Sequence, residues 1–243
     1  MIEPALLGQT VVVLGGSAGI GLETARRARA EGANVILTGR NPENLERAAH
    51  DVGAQSTAAF DAMDPAALER FFRNAPAPID HVMVTAGQPH YGRLLDLNVG
   101  QARDAFSGHL VQLLETARHA AGKMKPGGTL VFMGGVGGRR PGVGNGIVST
   151  MTAALPAFTA NLALELAPIR VNLIAAGFVD TPLSAAILGD RLDDRRQQLR
   201  ATLPIGRVVQ PTDVAALAIH LMINTALTGA TYDIDGGQQF IAG

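Results

Sequence analysis

Apolar positions along the chain fall into two alternating rhythms. Short runs rich in β-branched residues, at 10–14, 34–38, 81–85, 129–133, 170–175 and 231–234, read as strands. Between them, longer patterns at helical spacing cover 19–30, 42–52, 65–74, 101–124, 148–166 and 212–224, with start signals such as Asp64-Pro65 and Pro211-Thr212-Asp213. Parallel neighbours need helical crossovers, so this alternation predicts an α/β fold: a parallel sheet with helices on both faces. The stretch 180–206 is the least regular. Its polar segment 190–198 reads as a solvated helical lid or as an ordinary surface helix or loop, and Pro156 is expected to kink its helix.

Composition narrows the picture. With 243 residues, 47% hydrophobic and 17% charged, the chain holds apolar material for one core and reads as a single domain over 1–243. Twenty basic against 21 acidic side chains leave a net charge of −1, so nucleic acid and anionic membrane are not expected partners. The absence of cysteine excludes disulfides and thiolate chemistry, and the six histidines show no close ligand spacing, so no metal site is expected. No signal-peptide pattern and no run of 18 apolar residues is present. The expectation is a soluble cytoplasmic protein with no membrane-spanning helix.

The first strand runs directly into Gly15-Gly16-Ser17-Ala18-Gly19-Ile20-Gly21, which opens an amphipathic helix. Glycines remove the Cβ atoms that would block a pyrophosphate, and the helix offers free N–H groups at the positive end of its dipole. A strand, such a turn and a helix within about 30 residues make a dinucleotide-binding fingerprint. The second strand ends Thr38-Gly39-Arg40, without the acid that holds an unphosphorylated ribose 2′-hydroxyl. Gly39 leaves room and Arg40 offers charge-assisted contacts to a 2′-phosphate, which favours NADP(H) over NAD(H). An exposed arginine at a strand end is the alternative reading.

Gly15, Gly19 and Gly21, then Asp61, Ala86-Gly87, Arg170-Val171-Asn172, Gly177-Phe178-Val179-Asp180-Thr181 and Asp235-Gly236-Gly237, follow one another in an order that resembles the short-chain dehydrogenase/reductase family across nearly the whole chain. The resemblance implies a Rossmann-type, doubly wound, mainly parallel seven-stranded sheet, a nicotinamide dinucleotide, and hydride transfer to or from a carbonyl or alcohol. It implies that Asp61 faces the adenine, that Ala86 and Gly87 line the cofactor, and that Gly177, Val179 and Thr181 belong to the loop holding the carboxamide. It further implies a homo-tetramer or dimer built on helices 101–124 and 148–166 and the apolar end Gln239-Phe240-Ile241-Ala242-Gly243.

The same resemblance implies four catalytic residues, and here this chain departs from it. The serine position falls on Gly135, the tyrosine on Val148, the lysine on Thr152 and the asparagine on His109. The inventory agrees: Tyr91 and Tyr232 are the only tyrosines, no Tyr-x-x-x-Lys exists, and Lys123 and Lys125, the only lysines, sit before the fifth strand, away from the ligand-binding edge. Carbonyl reduction by the family's usual route is therefore not expected.

Other groups are candidates. His90 and Tyr91, in a loop after the fourth strand, put an imidazole beside a phenol, and His109 would face the nicotinamide; each is a candidate proton donor, with simple packing as the alternative. Ser149, Thr150 and Thr152 either bind a ligand or cap their helix. The run 133–138 reads as the serine loop stripped of side chains. Three functions stay open: an NADP(H)-dependent oxidoreductase with a non-standard donor, acting on a small carbonyl, enone or imine; a catalytically inactive NADP(H)-binding sensor or partner protein; and a lyase, hydratase or isomerase.

Overall fold

The computed structural model describes residues 4–241, so the expected contacts of Ala242 and Gly243 lie outside the described residues. Seven strands form one sheet: β1 (Thr10–Leu14), β2 (Asn34–Gly39), β3 (Ser56–Ala59), β4 (Ile79–Val84), β5 (Met124–Gly135), β6 (Arg170–Ala176) and β7 (Thr231–Ile234). Their order is β3-β2-β1-β4-β5-β6-β7, with every pairing parallel. This is the doubly wound, Rossmann-type sheet. Its order reverses between β1 and β4, which opens a crevice beyond the carboxyl ends of the strands.

Alternation along each strand divides the core in two. Val11, Val13, Val35 and Leu37 pack with α1 (Gly19–Ala30), α2 (Pro42–Val52) and α8 (Pro211–Ile223). Val12, Leu14, Ile36 and Phe132 pack on the other face with α3 (Pro65–Asn74), α4 (Val99–Ala121) and α5 (Gly146–Glu165). Strands buried on both faces are apolar at successive positions, which is why they stand out in the sequence. The caps follow chemistry too: the Asp64 carboxylate accepts from the Ala66 and Ala67 amides at the start of α3.

Several expectations need correction. The edge strand β3 was absent from the apolar pattern because Ser-Thr-Ala-Ala is short and mostly exposed, and its parallel pairing with β2 is what makes it a strand. The helix expected to reach 124 stops at Ala121, where Gly122 caps it, and β5 begins at once. Within 180–206 lie α6 (Pro182–Leu188) and α7 (Leu192–Thr202), and α7 is anchored as well as solvated: Leu199 is fully buried with Leu203 and Val208.

One further correction concerns α5. The helix is long and apolar enough by length and composition to cross a membrane, contrary to the expectation that no segment would be. It continues through Pro156, and Met151, Leu155, Thr159 and Leu162 bury it in this domain.

Candidate active site

A cleft of about 1350 Å³ opens beyond the carboxyl ends of β1, β4, β5 and β6. Its phosphate end is built by close approach. A Cβ on Gly21 would stand 2.2 Å from the Gly15 carbonyl oxygen, and one on Gly15, at φ +92°, would stand 2.7 Å from the Ala86 nitrogen and from Thr85 Oγ1. The Gly15 and Gly16 amides donate to the Thr38 carbonyl, and Thr85 Oγ1 donates to the carbonyls of Leu14 and Gly15. This fixes the turn against β4. Helix α1 then starts behind Ala18, with no side chain capping its first amides. Those amides and the space left by the glycines fit a pyrophosphate.

Gly15, Ala18, Gly19, Ile20, Gly21, Ala86, Gly87, Gly177, Val179 and Thr181 all line the cleft. Ser17, Arg40 and Asp61 do not. Ser17 lies beside Gly39, where a Cβ would be 3.0 Å from its Oγ, and Arg40 follows exposed, making no ion pair among the described residues. Asp61 is exposed in the turn after β3, accepting from the Met63 amide. All three stand beyond the carboxyl ends of β1, β2 and β3, the sheet edge on which the cleft opens.

The four positions that the resemblance assigned to catalytic residues, Gly135, Val148, Thr152 and His109, all line the cleft. The hydroxyl of Thr152 donates to the Val148 and Ser149 carbonyls, and that of Thr150 to Gly146. The Thr150 and Thr152 hydroxyl protons are thus given to the helix backbone and Ser149 Oγ is buried without a partner, which corrects the capping alternative; the residue before α5 is Asn145, whose side chain makes no cap. Lys123 donates to the Arg73 and Ala75 carbonyls and Lys125 pairs with Asp80, both at the opposite end of the sheet.

His109 sits beside Gly87, and its Nδ1 lies 3.2 Å from Gln112 Oε1. The Gln112 amide nitrogen donates to the Ala86 carbonyl, so its oxygen faces the ring as an acceptor for a proton on Nδ1. Burial holds this histidine below its usual range, against the opposing effects of Gln112 and the Met133 carbonyl. His90 and Tyr91 are exposed at the cleft wall, and partial burial pushes the Tyr91 phenol up. Sequence reading missed Gln112, Thr85 and Gln238. The last, buried, accepts from the Phe178 amide through Oε1 at 2.7 Å and so positions the loop after β6. Nothing local in the sequence distinguishes these three polar side chains from surface ones.

Comparison with known proteins agrees with this geometry. The family described as Enoyl-(Acyl carrier protein) reductase matches residues 15–239, and the chain belongs to the short-chain dehydrogenase/reductase family. It is 32% identical to the cyclic-di-GMP-binding biofilm dispersal mediator protein of Escherichia coli (strain K12), covering 96% of this chain and 98% of that one. It is 28% identical to the NADP-dependent (R)-specific alcohol dehydrogenase of Lentilactobacillus kefiri, covering 96% and 97%. A crystal structure of a small-chain dehydrogenase in complex with NADPH is 30% identical over 96% of this chain and 99% of that one, with a TM-score of 0.81.

Proposed function

We propose that this protein is an NADP(H)-binding oxidoreductase that acts on a small carbonyl, enone or imine with a non-standard proton donor. The observation that carries the reading is the cleft wall itself: Val148 and Gly135 offer no hydroxyl, Thr152 donates its own to the helix, and His109 is a half-buried titratable group in the same cleft. A bound nicotinamide supplies the hydride. The chain's own residues then have three tasks: Gly15 to Gly21 receive the pyrophosphate, Arg40 meets the 2′-phosphate, and His109 moves the proton.

Held by Gln112 through Nδ1 and facing the Met133 carbonyl, the His109 imidazole accepts a proton in the oxidative direction and, once protonated, donates it in the reductive one. Because burial disfavours the imidazolium, reduction is expected to accelerate as pH falls below the usual histidine range. The NADPH-bound relative and the NADP-dependent alcohol dehydrogenase support the choice of cofactor.

The same wall, poor in proton donors, supports a second reading, a cofactor-binding protein that does not turn over. Titration with NADPH, followed by its oxidation against a carbonyl, enone and imine panel, divides the two. Turnover falling about 10²-fold or more in His109→Gln, with His90→Ala and Tyr91→Phe near the parent, is the expected result. Tight binding with no turnover on any panel member would establish the second reading, and turnover indifferent to His109→Gln would remove His109 from the mechanism.

A further inference from the structure

Three arginines line the cleft: Arg139, Arg140 and Arg195. Arg139 is neutralised, since both its terminal nitrogens bond Asp233, at 2.6 and 2.5 Å. The other two are not. Arg140 follows the loop that packs against α5 at Val148, Thr152 and Ala153, and Arg195 comes from α7, so they approach from different elements. Each is half-buried, and among the described residues neither has a carboxylate within ion-pair distance; Arg195 spends one N–H on Gln198 Oε1. Asp104, the one acidic side chain in the lining, pairs with neither.

Partly burying two like charges together is unfavourable without a counter-charge. Burial, and after it the Arg140 charge, already weakens the charged form of Arg195. Arg196, the neighbour of Arg195 on α7, pairs with Asp180 and Asp193, so the acids nearby are already taken. The phosphate turn stands at β1 and α1, whereas Arg140 follows the loop beside Val148 and Thr152 and Arg195 stands on α7.

We infer that Arg140 and Arg195 form a subsite for an anionic group, a carboxylate or a phosphate, carried by the substrate. The inference rests on the reading of this cleft as a cofactor-and-substrate site and names its substrate class. A guanidinium pair recognises either anion by charge-assisted, bidentate hydrogen bonds.

The test uses protein saturated with NADPH, so that the cofactor's own phosphate sites are filled. Benzoate, phenyl phosphate and benzyl alcohol are titrated as probes by calorimetry, on the parent and on Arg140→Gln, Arg195→Gln and Arg195→Lys, with thermal melts confirming that each variant is folded. The expected result is at least 10-fold tighter binding of one or both anions than of the alcohol. Each Gln substitution lowers that affinity about 10-fold, Arg195→Lys recovers part of it, and NADPH affinity is unchanged throughout. The tighter anion identifies carboxylate or phosphate as the group recognised. Equal affinity for anion and alcohol, or an anion preference that survives both Gln substitutions, overturns the subsite. Failure of NADPH to bind the parent would instead overturn the cofactor reading; the same titration on the unloaded protein then judges the arginines by the same criteria.

Discussion

A single exposed side chain is proposed to choose between the two nicotinamide dinucleotides. Arg40 stands at the end of β2 beside Ser17, with its guanidinium unpaired among the described residues and available to a 2′-phosphate. Charge-assisted hydrogen bonds are worth roughly 1.5–3 kcal/mol, so Arg40→Ala is expected to weaken NADPH binding about 10- to 100-fold and leave NADH nearly unaffected. Fluorescence titration of both cofactors reads the ratio, and an equal loss for the two would remove Arg40 from the recognition. At this scale much was legible in the sequence: the glycines, Arg40 and the missing tyrosine–lysine pair are statements about residue type. What was not legible was His109's partner. Gln112 is one helical turn away, yet its amide is oriented by the carbonyl of Ala86 on another element.

Among the elements, β6 and α8 are joined by an interaction that the sequence motif alone did not explain. Arg170, buried at the start of β6, donates to the carbonyls of Leu221, Met222, Asn224 and Leu227. These are the orphan acceptors at and after the C-terminal end of α8, where a cation also complements the helix dipole. Arg170→Met leaves the Leu221 and Met222 carbonyls without a partner, while Asn224 keeps the Leu227 amide and Leu227 keeps the Asn172 side chain, and a loss of about 3 kcal/mol is expected in urea unfolding. A variant as stable as the parent would show that water replaces the guanidinium without cost. The same scale explains which elements sequence pattern found. Buried strands and amphipathic helices carry their periodicity within themselves, whereas β3 becomes a strand through its pairing with β2.

At the scale of the whole molecule, stability is expected to depend on pH through a group far from the cleft. His81 is buried in β4, its Nε2 on Gln9 Oε1 at 2.7 Å and its Nδ1 without a partner, and burial, the dominant influence, lowers its pKa to about 4. The unfolded chain takes up this proton near pH 6.5 and the folded one only near 4, so the stability tied to neutral His81 is complete above pH 6.5 and is lost as pH falls. A decline of about 3 kcal/mol between pH 6.5 and 4 is expected in urea midpoints, and a flat profile down to pH 4.5 would exclude it. Assembly is a second property of this scale. We propose a homo-dimer or tetramer built on α4 and α5, whose exposed faces include Leu114 and Leu164. Sedimentation of the parent as an oligomer, and of Leu114→Glu/Leu164→Glu as a smaller species, is the expected outcome; a monomeric parent would refute it.

By itself, the sequence determined the parallel α/β architecture, the phosphate turn and the absence of any Tyr-x-x-x-Lys, because periodicity, glycine spacing and residue inventory are local or countable properties. Only the tertiary structure decided what meets in the cleft. Crossovers bring the ends of β1, β4, β5 and β6 to one edge, and there Gln112 links the His109 ring to the Ala86 carbonyl, Thr152 donates its hydroxyl to the helix, and Arg140 and Arg195 have no carboxylate within ion-pair distance among the described residues. Those relations depend on orientation and burial among residues distant in the chain, which no linear pattern records.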